Sequence, residues 1–227
     1  IEMAVTCLSN GGVAAVPTDT LYALAASVFI EKSVERIFEL KGRPNNHGMP
    51  VLLDEIDRVN SCVLDVPELA RSLMQEFWPG PLTIVLRRSP AVPAVVCGGL
   101  ETVGLRLPDH ELTRGIVKKL DAPITGTSVN RSGTESLNSA ELIANEFGDQ
   151  IDLIVDSYTG AGKASTVIDM TEIHQYQEEL RKLSSHIQNA QEEERAHIAQ
   201  EIHDSLLESQ GVAFHVSRVL WLFPNGS

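Results

Sequence analysis

The 227-residue sequence predicts an α/β or α+β domain on a single sheet, followed by one long helix. Three observations carry that prediction. Short β-rich runs alternate with stretches whose apolar residues recur every three or four positions. Ten of the eleven prolines lie between Pro17 and Pro123, and the eleventh is Pro224, so turns concentrate in the first part. From Glu172 to Gln210 there is neither Pro nor Gly, and helix-forming Gln, Glu, Ala, Leu, Ile and His fill the stretch.

The elements follow in order. Val13–Val16 is an apolar run stopped by Pro17 and predicts a first strand. Val34, Ile37 and Phe38 then fall at helical spacing. Val51–Leu53 predicts the next strand, and Leu69, Leu73 and Phe77 the next helix. Thr83–Leu86 and Val103–Leu107 read as strands, followed by a helix on Leu112, Ile116 and Leu120 and a strand at Pro123–Thr127. Ala140, Ile143 and Phe147 mark a further helix, and Leu153–Val155 and Thr166–Asp169 the last strands. The phenylalanines and Trp78 at these spacings are expected in the core. Beyond Thr171, Leu180, Leu183, Ile187 and Ala190 step by three and four, and after a phase slip Ile198, Ile202 and Leu206 step by four. A helix of that length runs to roughly 50 Å at about 1.5 Å per residue. That is too long to lie on one small domain, so self-association through a partner helix is expected. The predicted domains are residues 1–171 and a helical tail, 172–227.

Charge narrows the partners. The net charge is −13, with 14 basic and 22 acidic residues in 1–171 and 4 and 9 in 172–227. Sequence-independent binding to DNA, RNA or anionic membranes needs a basic surface and is not expected. The longest largely apolar stretch, Leu21 to Ile30, has ten residues with Ser27 among them, whereas a membrane span needs about 20. Nothing reads as a signal peptide. Cys7, Cys62 and Cys97 are far apart and odd in number, which suggests reduced thiols, a cytoplasmic location and no zinc site.

Polar clusters follow several of the predicted strands, where open α/β sheets bind ligands. Pro17-Thr18-Asp19-Thr20 is a dense hydroxyl and carboxylate turn. Lys41-Gly42-Arg43-Pro44 sets two cations around a glycine that lets backbone come close to a ligand. Ser128-Val129-Asn130-Arg131-Ser132-Gly133 is rich in donors. Arg106 sits inside an apolar strand, where a lone charge is expensive unless it meets an anion. Two cations with hydroxyl and amide donors suit a triphosphate. Gly160–Ser165 lacks the spacing of a phosphate-binding G-x-x-x-x-G-K-[ST] loop.

Six segments then carry a family resemblance: PTDTLYAL at 17–24, KGRP at 41–44, FWPGPLT at 77–83, TVGLRLPDH at 102–110, TSVNRSG at 127–133 and STVIDMT at 165–171. In order and separation they resemble the YrdC family over residues 3–171. The resemblance implies an α/β fold with a twisted open mixed sheet, flanking helices and a concave face. It implies an ATP-dependent nucleotidyltransferase, an L-threonylcarbamoyladenylate synthase. Such an enzyme makes threonylcarbamoyl-AMP and pyrophosphate from L-threonine, bicarbonate and ATP with Mg²⁺, for threonylcarbamoyl-adenosine in tRNA, alongside tRNA-modification partner proteins. By resemblance Lys41, Arg43, Ser128 and Asn130 hold the nucleotide phosphates. Thr20, Arg106 and Ser165 hold the amino acid, and Thr102 lies near the nucleotide. The sequence departs from the family pattern at Ala23, where glycine is usual, and at His47-Gly48-Met49 in place of Lys-Pro-Leu. A relative using carbamoyl phosphate is disfavoured, because no acylphosphatase-like or zinc-binding cysteine region is present.

The tail carries a second resemblance. Glu192–Glu208 (EEERAHIAQEIHDSLLE) resembles the phosphoacceptor helix of a sensor histidine kinase, which implies His203 as phosphoacceptor and Asp204 as its neighbour. Val212–Phe223 reads as part of a second helix. The competing reading is a catalytically impaired nucleotide- or RNA-binding module fused to a dimerising or phosphoacceptor helix.

Overall fold

The structure is a computed structural model that describes residues 1–42, 47–160 and 162–210, with backbone alone at 172–180, 183, 190 and 203–210. The chain divides into two compact units, Ile1–His174 and Gln175–Ser227. The first unit opens with α1 (Glu2–Ser9), β1 (Ala14–Val16), β2 (Ala23–Ala25) and α2 (Glu31–Lys41). It continues through β3 (Val51–Leu52), α3 (Val59–Cys62), α4 (Glu68–Phe77), β4 (Leu82–Arg87), β5 (Thr102–Arg106) and α5 (Glu111–Leu120). Then come β6 (Ile124–Thr125), β7 (Thr127–Ser128), α6 (Ala140–Phe147), β8 (Leu153–Ile154) and β9 (Thr166–Asp169). Finally α7 spans Thr171–Gln210.

The α/β class and the flanking helices are as expected, but the strands form two mixed sheets, ordered β7-β2-β1-β8 and β6-β3-β5-β4-β9. The division is made at one glycine. The strand read at Pro123–Thr127 breaks at Gly126, so that Ile124–Thr125 pairs antiparallel with β3 while Thr127–Ser128 pairs antiparallel with β2. A Cβ on Gly126 would lie 2.6 Å from the Leu52 side chain, and its N–H donates to the Pro50 carbonyl at 2.7 Å. An isolated bridge between Ser27 and Ile124 joins the two sheets at that point.

Both faces of β1 are covered. Val13 and Ala15 join the main core with Val34, Ile37 and Phe38 of α2, whereas Ala14 and Val16 join a second core with Ala4 and Leu8 of α1 and Ile116 and Val117 of α5. This is strand alternation with an apolar layer on each side, which explains why the run is apolar throughout. His110 caps α5, its Nδ1 accepting from the Thr113 N–H at 3.4 Å, and Ser139 caps α6.

One core expectation is corrected. Leu69 and Phe77 are exposed, Phe77 by 52%, and α4 instead buries Ala70 and Met74. Its inward stripe is rotated by one residue from the one read in the sequence. Phe38, Phe147 and Trp78 are buried as expected. The three cysteines are free. Burial pushes the Cys7 and Cys62 thiols up, and that of Cys97 up to about 11.

In the second unit α7 runs on to Gln210 as continuous helix, with Ile187, Ile198 and Ile202 exposed. Among the described residues no helix is long and apolar enough to cross a membrane. The segment Val212–Phe223 lies outside the described residues.

Candidate active site

The site forms where the chain changes sheet. Lys41 is the last residue of α2, and Gly42 ends that helix in the left-handed region at φ +56°. Glycine is needed here for that φ. No described atom approaches within 4 Å of where its Cβ would be, so close approach of backbone is not its role. Lys41 is 4% exposed. Its Nζ donates to the Ser128 carbonyl at 2.6 Å, the Asn130 carbonyl at 3.1 Å and Asn130 Oδ1 at 2.7 Å. Ser128 Oγ donates to the same Oδ1 at 2.8 Å, and Asn130 Nδ2 donates to Thr134 O at 2.7 Å. The cation is thus set among oxygens at the end of β7, which answers the cost of burying it. Arg43 lies outside the described residues.

The second cation enters from the other sheet. Arg106 ends β5 and is 5% exposed. It donates from Nε to Gly80 O at 3.1 Å, from Nη1 to Thr20 Oγ1 at 2.8 Å and from Nη2 to Asp19 Oδ1 at 2.6 Å. The anion that a lone charge in an apolar strand requires is therefore Asp19. Thr20, Arg106, Ser128 and Ser165, with Thr18 and Tyr22, line one pocket of about 210 Å³. Ser165 Oγ also lies 2.9 Å from Thr83 Oγ1. Ala23 contributes to the wall but is 3% exposed and packs in the second core, so its methyl is largely accommodated there.

Thr102 is not brought to this pocket. It pairs with Arg87 at the opposite end of β5 from Arg106, a separation of about 13 Å at strand rise. The backbone at His203 is helical, its side chain lies outside those described, and it belongs to the second unit.

Residues 157–160 and Gly162 run beside the Thr18–Thr20 turn. The Gly160 N–H donates to Thr18 O at 3.1 Å and the Gly162 N–H to Thr20 O at 3.2 Å. Tyr22 Oη donates to Ser157 O at 2.8 Å and accepts from the Ser157 N–H at 3.2 Å. His110 Nδ1 accepts at the α5 cap, so Nε2 carries the proton and donates to Tyr158 O at 2.9 Å. Thr18, Asp19, Tyr22 and Thr83 were not among the residues expected at the site. The Pro17–Thr20 cluster points toward the first two, whereas Tyr22 and Thr83 lie within the PTDTLYAL and FWPGPLT segments without being singled out there.

A larger cavity of about 590 Å³ lies elsewhere, between α1 and β8, and is lined by Glu2, Thr6, Cys7 and Asp152 among others. Its charged groups are acidic. Burial pushes the Asp152 carboxyl up, but the Arg36 hydrogen bond and the Val13 N–H outweigh it and hold the group below the ordinary range. No Lys or Arg is among the residues that line that cavity.

Comparison with known proteins gives the family. A family model described as Telomere recombination, covering Sua5, YciO and YrdC, matches residues 6–182. The chain belongs to the Sua5/YciO/YrdC family. The threonylcarbamoyl-AMP synthase of Pyrococcus abyssi is 40% identical over 173 residues, 76% of this chain and 51% of that protein. The threonylcarbamoyl-AMP synthase of Bacillus subtilis is 38% identical over 170 residues, 74% of this chain and 49% of that protein. The crystal structure of P. abyssi Sua5 complexed with L-threonine superposes with a TM-score of 0.72 at 39% identity, covering 74% of this chain and 50% of that one. The chain therefore spans about half the length of these Sua5/YciO/YrdC relatives.

Proposed function

We propose that the first unit is the nucleotide-binding catalytic domain of an L-threonylcarbamoyladenylate synthase. It would make threonylcarbamoyl-AMP and pyrophosphate from L-threonine, bicarbonate and ATP, for threonylcarbamoyl-adenosine in tRNA. The observation that supports this reading is one pocket lined by Thr20, Arg106, Ser165 and Ser128, with Ser128 in turn holding the buried Lys41 behind it. Lys41 lies among the oxygens of Ser128 and Asn130, and Arg106 is held by Thr20 and Asp19.

Condensation of the threonine amine with bicarbonate gives a carbamate and water. A carbamate oxygen then attacks the α-phosphorus of ATP, and the bond to the β-phosphate oxygen breaks to release pyrophosphate. No covalent enzyme nucleophile is required. The protein must align the reactants and neutralise charge. In this reading Lys41, Arg43, Ser128 and Asn130 hold the phosphates, and Thr20, Arg106 and Ser165 the amino acid. Among the described residues no three His, Cys, Asp or Glu groups come together as metal ligands. Mg²⁺ would therefore arrive on the oxygens of the triphosphate, as it commonly does.

The deciding experiment is pyrophosphate release from ATP with L-threonine and bicarbonate omitted in turn. Release that requires both is expected. Release that ignores either, or none at all with ATP still bound, overturns the assignment in favour of a nucleotide-binding module.

We propose further that α7 pairs with a second copy of the chain. The unpartnered Ile187, Ile198 and Ile202 support this. The kinase-like motif around His203 belongs to that helix, and a phosphoramidate on His203 after incubation with a histidine kinase would mark a signalling role.

A further inference from the structure

We infer that Thr18 and Asp19 are positioning residues: Thr18 locks Thr20 as a hydrogen-bond acceptor toward the ligand, and Asp19 fixes the plane of Arg106. The inference deepens the amino-acid subsite proposed above and rests on that reading.

The protons follow from the oxygens. Thr18 Oγ1 lies 2.6 Å from the Leu21 carbonyl, which has no proton to give, so Thr18 donates to it. The Thr18 hydroxyl has one proton. Its 2.9 Å contact with Thr20 Oγ1 is therefore made with Thr20 as donor. Thr18 Oγ1 is held in place by the N–H groups of Thr20 and Leu21, at 3.1 and 3.2 Å. Arg106 Nη1 donates to Thr20 Oγ1. The relay runs in one direction, from Arg106 to Thr20, Thr18 and the Leu21 carbonyl.

A free threonine hydroxyl can turn to give or take a proton. In this relay the proton of Thr20 is committed, and what remains for a ligand is a lone pair. Thr20 can accept an N–H or O–H from the ligand but has nothing to offer a carboxylate or phosphate oxygen. Arg106 does the opposite, because guanidinium only donates. Its plane is set by Asp19 on Nη2, with side chains only 6% and 13% exposed, and by Gly80 O on Nε. The pocket thereby sorts the two ends of an α-amino acid, donor groups toward Thr20 and acceptor oxygens toward Arg106. Neither Thr18 nor Asp19 needs to touch the reacting atoms to do this.

The test compares Thr18→Val, Asp19→Asn and Thr18→Ser in pyrophosphate release, with KM measured separately for L-threonine and ATP. Loss of a hydrogen bond to a charged or preorganised group is expected to raise the L-threonine KM roughly 10-fold or more in Thr18→Val and Asp19→Asn. The ATP KM and kcat are expected to stay within about twofold, the pattern of lost uniform binding. Thr18→Ser, which keeps the relay, is expected to restore the L-threonine KM. Equal losses for both substrates, or an unchanged L-threonine KM in folded Thr18→Val and Asp19→Asn, overturn the inference. An unsubstituted chain with no threonine-dependent release overturns the enzymatic reading, and the inference with it.

Discussion

Lys41 shows what burial does to one residue. The Lys41 side chain, 4% exposed, is surrounded by carbonyl and amide oxygens of Ser128 and Asn130, and the same oxygens fix its position. Lys41→Ala is expected to lower threonine-dependent pyrophosphate release by about 10²–10³-fold, as for loss of one preorganised charge-stabilising donor. Near-normal turnover in a folded variant would show that the lysine is structural. Lys41, Ser128 and Asn130 were legible in the sequence because donors of that kind cluster in two turns. Asp19 was harder to assign, because its partner Arg106 is 87 positions away. Thr102 is expected near the nucleotide by resemblance alone, and the structure sets it at the end of β5 away from the pocket. It shares a strand and its face with Arg106, four residues on, and alternation does not say at which end a pocket opens.

At the scale of elements, residues 157–160 depend on glycine. A Cβ on Gly160 would lie 1.7 Å from the Asp19 carbonyl oxygen, which is backbone and not free to swing aside. Gly160→Ala is therefore expected to separate this segment from the Thr18–Thr20 turn. It should lower the melting midpoint by several degrees, corresponding to about 1–3 kcal/mol, and should weaken L-threonine binding measured by calorimetry. An unchanged midpoint would mean that the segment can shift without cost. Long, strongly patterned elements were legible, including α2, α5, β4 and β5. α1 and β2 were missed. The Ala-Leu-Ala of β2 lies inside a longer, largely apolar stretch and carries no β-branched residue. The break at Gly126 was invisible because each half of the strand has only two residues.

Two properties belong to the whole molecule. The exposed isoleucines of α7 predict self-association, and sedimentation at tens of micromolar should show a dimer that Ile198→Glu with Ile202→Glu converts to monomer. A wild-type monomer at that concentration removes the proposal. The thiols predict a response to alkali. Burial pushes the Cys97 thiol up from its ordinary value of 9.0 to about 11 in the fold. The folded chain then holds more protons over that window, so this stabilisation is complete below about pH 9 and is lost as pH rises toward 11. Urea midpoints should fall between those values, and Cys97→Ala should flatten the decline.

The crossing at Gly126 has a mechanical consequence. The two sheets meet along a short seam, where Ser27 and Ile124 form an isolated bridge and the Thr125 and Val28 N–H groups donate to the Ala26 and Pro123 carbonyls, and the pocket takes Thr20 and Ser128 from one side and Pro50 and Arg106 from the other. A ligand seated there is a rivet through two plates. Its binding energy is felt by strands it never touches, because neither sheet can peel away while the rivet holds.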